Sequence, residues 1–258
     1  MNHDDLARPV SRRAALAGGL AITAAMAHPS RAEATGRKRA RIIVSLADNA
    51  AQGIVPTTAT LGDGSNARTN LYWGAMYGLK TVFKRSADYR VTTQSPLEPH
   101  VLDALTIEPV SGSAVIQAQA FDGRHQVDAV NAFYAALAQE SDPFDHVIFV
   151  GHNALMDRRI QHRVLTQAQR GRNRARGLKA SVIACQSRDF FVGPLDAMGA
   201  QSYVMTNGLM APEGYVVEAV VSAWLQDMSV TAASDAAGEA YATYQKISPR
   251  AGRRLFAG

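Results

Sequence analysis

This sequence predicts an α/β fold, a three-layer α/β/α sandwich around a mostly parallel central sheet, and three observations carry the prediction. Two short apolar runs, Asp145 to Val150 and Leu178 to Ala184, are rich in β-branched residues and bounded by turn residues. Such runs suit strands covered on both faces, as parallel strands are. Segments such as Val127 to Gln139 place apolar residues at helical spacing between the strand-like runs. The third observation is how the two runs end. The first closes in Gly151-His152-Asn153 and the second in Cys185-Gln186-Ser187, so that His152 and Cys185 lie 33 positions apart. That is about one strand–helix–strand unit. Consecutive parallel strands present their carboxyl ends side by side, at the edge where open α/β sheets bind ligands. A thiol and an imidazole are therefore expected to meet in one crevice.

Taken in order, the chain opens with what looks like an address. Ser11-Arg12-Arg13-Ala14-Ala15-Leu16 carries a twin-arginine pattern, with Ala15 where a Phe is usual. The apolar run Ala14 to Ala27 is too short to span a bilayer, and Ala32-Glu33-Ala34 offers a small-x-small cleavage site before Thr35. Residues 1–34 are thus expected to be a twin-arginine signal peptide and 35–258 a single exported, periplasmic domain. The bland alternative is an Arg-bearing amphipathic terminus.

The 258 residues include 27 Lys+Arg and 22 Asp+Glu. Removing residues 1–34 takes away four basic and three acidic residues, leaving a net charge of about +4. This mild charge makes no case for nucleic acid. No further apolar run is long enough for a span, so no stable membrane insertion is expected after signal removal. Cys185 is the only cysteine. A lone cysteine in an exported protein is either a buried small hydrophobe or a reactive thiol. Its place at a strand end, followed by polar Gln186 and Ser187, favours reactivity.

Arg37-Lys38-Arg39-Arg41 reads as a solvated lead-in to a strand over Arg41 to Leu46, which ends near Asp48 and Asn49 on the predicted active edge. Ala50 to Thr69 is a long loop rich in Gly, Thr, Asn and Pro, of the kind that forms a functional rim. Its Asp63, Ser65 and Asn66 lack the terminal Glu of a calcium loop. The spacing of Leu71, Met76, Leu79, Val82 and Phe83 predicts a helix over Asn70 to Ser86, with Trp73 as core. Strands follow at Tyr89 to Thr93 and Ala114 to Phe121, while Val101 to Ile107 fits helix or strand. In the basic segment 156–177, the first part is expected to be the crossover helix and Gln169 to Gly177 a solvated basic loop. The alternatives for that segment are contact with an anionic partner or a nicked linker. A short helix at about Leu195 to Met198 precedes a strand over Ser202 to Thr206, which ends in the turn Asn207-Gly208. The strands at 41–46, 114–121, 145–150, 178–184 and 202–206 are all expected to be central. Pro212 suits the first turn of a helix reaching Met228, with Glu213 near its positive end, and a final helix covers Ala232 to Ile247.

An apolar strand ending in His, one crossover, and an apolar strand ending in Ala184-Cys185 resemble the caspase–gingipain–separase type of cysteine peptidase. Gly199-Ala200, leading into a strand and a long helix, is similar too. The motifs Asp48-Asn49, Gln52-Gly53-Ile54-Val55-Pro56, Asn70-Leu71-Tyr72-Trp73-Gly74, Gly151-His152-Asn153-Ala154-Leu155-Met156-Asp157, Ala184-Cys185-Gln186-Ser187 and Gly208-Leu209-Met210-Ala211-Pro212-Glu213 also resemble a family of exported bacterial proteins without an assigned function. The peptidase resemblance implies a caspase-like sheet, a peptide or protein substrate and no cofactor. It matches Cys185 to the nucleophile and His152 to the residue that manages its proton. It places Asn153 where such peptidases carry a Gly whose N–H helps hold the oxyanion. It puts Asp48 in the region lining the pocket for the side chain before the scissile bond, where it would suit a basic group or else fix the loop. Gln186, Asn207 and Glu213 complete the expected binding edge. No acidic third member is identifiable; Asp157 is the nearest and reads as structural.

Other chemistries are weaker. His125, His146, His152 and His162 with Asp157 raise a metal, but none has compact ligand spacing, so no metal is expected. Ser45 and Ser187 lack the Gly-x-Ser-x-Gly elbow of a serine nucleophile. Two function classes stay open: a periplasmic cysteine hydrolase using a Cys185/His152 dyad, and a catalytically silent caspase-like binding or scaffold protein of the cell envelope.

Overall fold

The computed structural model describes residues 36–52 and 56–256. The expected signal peptide lies outside the described residues. From Arg37 onward the chain forms one compact unit.

Among the described residues, seven strands make one mixed, mostly parallel sheet: β1 (Lys38–Ser45), β2 (Tyr89–Gln94), β3 (Val101–Pro109), β4 (Ala114–Phe121), β5 (His146–Val150), β6 (Lys179–Ile183) and β7 (Gln201–Ser202). Their order is β2-β3-β4-β1-β5-β6-β7. β4, β1, β5, β6 and β7 run parallel, and β2 and β3 add an antiparallel edge. The β-branched runs behave as expected for strands covered on both faces: every residue of β5 is buried. Alternation sorts their side chains. Ile42, Val44, Ile148, Val150 and Ile183 face one apolar core, whereas Ile43, Val147, Phe149 and Val182 face the other.

Helices cover both faces. α1 (Leu79–Arg85), α5 (Gly214–Leu225), α6 (Val230–Gln245) and α7 (Pro249–Phe256) close the first core, which also takes Trp73, Trp224 and Phe256. α2 (Gln126–Leu137) and α4 (Ser187–Ala197) close the second with Phe133, Tyr134, Phe191 and Leu195. α3 (Gln167–Ala175) precedes β6 in the crossover.

Several expectations are corrected. The helix expected over 70–86 shrinks to α1, because Asn70 binds backbone across the chain instead of continuing a helix. Its side chain donates to the Ala47 and Asp63 carbonyls and accepts from the Ala47 N–H at 3.0 Å. Gly74 lies so close to the Arg68 carbonyl that no side chain fits, and the turns run on to Gly78. The ambiguous segment 101–107 is strand, since its main chain pairs on both sides. In the crossover the order of loop and helix is reversed. Thr166 and Gln169 form a reciprocal capping box that starts α3 at Gln167, and the helix runs through most of the stretch expected to be loop. Arg172 and Arg174 of α3 pair with Glu140 and Asp196. The strand expected at 202–206 is not central. β7 is an edge strand of two residues, continued by hydrogen bonds from Tyr203 N–H to Ala180 and from Val182 N–H to Val204.

Candidate functional site

Cys185 and His152 line the same cavity, about 430 Å³, at the carboxyl edge of the parallel strands. Local bonding puts them there. The Gly151 N–H reaches the Ile183 carbonyl, extending the β5–β6 pairing by one step. The Asn153 side chain then donates to the Cys185 carbonyl at 2.8 Å, tying the two strand exits together. Gln186 takes a left-handed backbone, φ 48°, and its N–H reaches the Gly208 carbonyl. That turn lets α4 begin at Ser187, whose hydroxyl donates to the Val182 carbonyl at 2.7 Å and accepts from the Thr206 N–H.

The rest of the wall is largely apolar: Pro56, Leu71, Tyr72, Leu209, Met210, Pro212 and Tyr241, with Gln52 and Thr57 as polar points. No acidic side chain is among the described residues lining it. Gln52 hydrogen-bonds the Tyr72 hydroxyl, and burial raises the Tyr72 pKa above its ordinary value.

His152 is almost fully buried, and its Nε2 lies 2.6 Å from Asp157 Oδ2. A 3₁₀ turn over Ala154–Met156, capped by the Asn153 side chain, curls the chain so that Asp157 returns to the ring five residues back. The sequence offers Asp157 only as the nearest acidic candidate, read as structural. Its signal was Asn153 as a cap ahead of a tight turn. The Cys185 sulfur is half-buried between backbone groups, with Met210 N–H at 3.4 Å and the Met210 carbonyl at 3.5 Å. Burial pushes this thiol above its ordinary pKa of 9.0, while the Met210 N–H pulls the other way. The resting thiol is therefore neutral. Iodoacetamide is expected to modify Cys185 slowly at pH 7 and progressively faster above pH 9, followed by intact mass. Modification at pH 7 as fast as that of free cysteine would refute this.

The other expected site residues lie off the cavity wall. Asp48 is nearly buried and holds the following loop: its carboxylate accepts from Ala50, Ala51 and Gly64 N–H groups at 3.0, 2.8 and 3.2 Å. A carboxylate engaged by three backbone donors is not presented to a basic substrate group. Asn153 and Gln186 act as the ties described above. Asn207 accepts from Arg188 Nε and donates to the Arg254 carbonyl, fastening α7 to the sheet edge. Glu213 stands at the start of α5, as expected, but its side chain makes no cap to the helix. Its buried carboxylate accepts from Tyr215 and Gln245, each at 2.8 Å, and burial raises its pKa.

Comparison with protein-family models, curated proteins and solved structures finds no match to this chain.

Proposed function

We propose that this chain is a cysteine hydrolase of caspase-like build, most simply a peptidase, with Cys185 as nucleophile and His152 as its proton partner. The observation that carries the proposal is that both residues open into one cavity from adjacent parallel strands. The leader pattern would place it in the periplasm.

Asp157 holding Nε2 leaves Nδ1 as the nitrogen to serve the thiol. Because the thiol rests neutral, its proton passes to His152 as the sulfur attacks, without a preformed ion pair. A new Sγ–C bond forms and the carbonyl π electrons move onto oxygen. The Asn153 N–H, next to His152, is the proposed donor to that oxyanion. Collapse breaks the C–N bond, and the amine leaves with the proton from His152. Water, deprotonated by the same ring, then releases the acyl group. With apolar walls and no lining carboxylate, the cavity suits an apolar side chain beside the reactive carbonyl, in place of the basic one first expected.

The test is turnover of a fluorogenic peptide library, sorted by the residue before the cleaved bond. Cleavage after apolar residues is expected, with Cys185→Ala lowering kcat/KM at least about 10³-fold. Full activity in Cys185→Ala would overturn the assignment. The raised thiol pKa also fits a silent binding protein, for which no library member would turn over while peptides still bound in the cavity.

A further inference from the structure

We propose that His100, His125 and Asp128 form a site for a divalent transition-metal ion of the Zn²⁺ class, separate from the Cys185 cavity. The three residues offer ligand atoms that all lie within 4.8 Å of one another. Asp128 Oδ2 stands 3.4 Å from His125 Nδ1 and 3.7 Å from His100 Nε2. A tetrahedral ion with bonds near 2.0 Å needs ligand atoms about 3.3 Å apart, so these two spacings are close to a ligand set. The imidazoles are stacked, with centroids 3.6 Å apart and planes at 14°. To bind one ion they must turn edge-on. Each of the three side chains is more than a third exposed, so rotation about χ1 and χ2 disturbs no core packing.

The backbone brings the groups together from distant positions. His125 precedes α2 directly, and Asp128 lies in its first turn, so both project from the same helix start. His100 comes from the turn before β3 and is delivered by the antiparallel β3–β4 ladder, where Val101 pairs Phe121. One further bond, Asp122 N–H to the His100 carbonyl at 2.8 Å, holds it opposite the helix start. His100 has φ 62°, a left-handed conformation uncommon for a residue with a Cβ. Arg124 is the cation nearest in sequence, but its guanidinium pairs with Asp122. Arg158 lines a cavity of about 220 Å³ beside His125 and Asp128. Two imidazoles and one carboxylate neutralise part of a 2+ charge and leave at least one coordination position for water or an anion, which Arg158 would accompany.

The full chain, stripped with chelator, would be titrated with Zn²⁺ by calorimetry and with Co²⁺ by visible absorption. His100→Asn keeps a residue that tolerates the left-handed backbone, and His125→Phe keeps the stacked ring, so both variants should fold. Circular dichroism checks that. Each is expected to weaken Zn²⁺ binding roughly tenfold or more and to remove the Co²⁺ visible band, as losing a direct ligand costs at least what losing a supporting group does. His162→Ala should bind as the parent does. Unchanged affinity in both ligand variants, or no Zn²⁺ uptake by the parent chain, would overturn the site.

Discussion

Replacing Gly151 with alanine is expected to destabilise the fold by about 4 kcal/mol. Gly151 has φ 137°, a conformation that side chains rarely adopt, and it lies between β5 and His152. A Cβ built there collides with the Ser45 carbonyl oxygen and stands 3.0 Å from the Ser45 Cβ. Both neighbours belong to the end of β1, which is hydrogen-bonded into the sheet and cannot withdraw alone. The cost sums roughly 1–3 kcal/mol for backbone strain and a similar amount for overpacking. For a domain of this size that corresponds to a Tm lower by about 10 °C. The same displacement would move His152 away from Cys185, so any peptide turnover should fall with the Tm. A melt within about 2 °C of the parent would show that Gly151 is not needed for close approach.

The second large effect is acid sensitivity centred on His146. This residue is completely buried in β5, with Nε2 2.9 Å from the Ser181 hydroxyl and its ring against Tyr203 and Trp224. Nδ1 has no partner among the described residues. Burial pushes its pKa down to about 3, and the nearby Lys179 charge acts the same way. The unfolded chain protonates this ring near pH 6.5. Between those values the unfolded state holds one more proton, so the stability from a neutral buried His146 is fully present above pH 6.5 and declines as pH falls toward 3. The slope is about 1.4 kcal/mol per pH unit, or roughly 3 kcal/mol by pH 4.5. His146→Leu removes the titrating group, and Ser181 still accepts from the Val204 N–H. Urea midpoints measured at intervals from pH 7 to 5, mostly above the carboxylate range, should fall in the parent and stay flatter in the variant. Equal slopes would mean that the ring can be protonated in the folded state.

Local patterning alone was enough for β1, β4, β5 and β6 and for the neighbouring ends of β5 and β6. β-branched runs between turn residues specify buried strands without help from afar, and a single crossover dictates that Val150 and Ile183 end side by side. Cys185 and His152 then follow by counting two residues past each strand. What local pattern could not decide was where polar side chains find their partners. Asn70 has the spacing to belong to a helix, but its amide satisfies Ala47 and Asp63 backbone across a loop, and those bonds outweigh helix propensity. Asp48 has the position of a specificity residue but satisfies three backbone N–H groups instead. Asp157 reaches His152 only because a 3₁₀ turn folds it back, and His100 meets His125 only through a β ladder 20 residues in span. The physical reason is the same in each case. Apolar burial depends on period, which is written locally, whereas a hydrogen bond depends on which two groups the finished fold brings within about 3 Å.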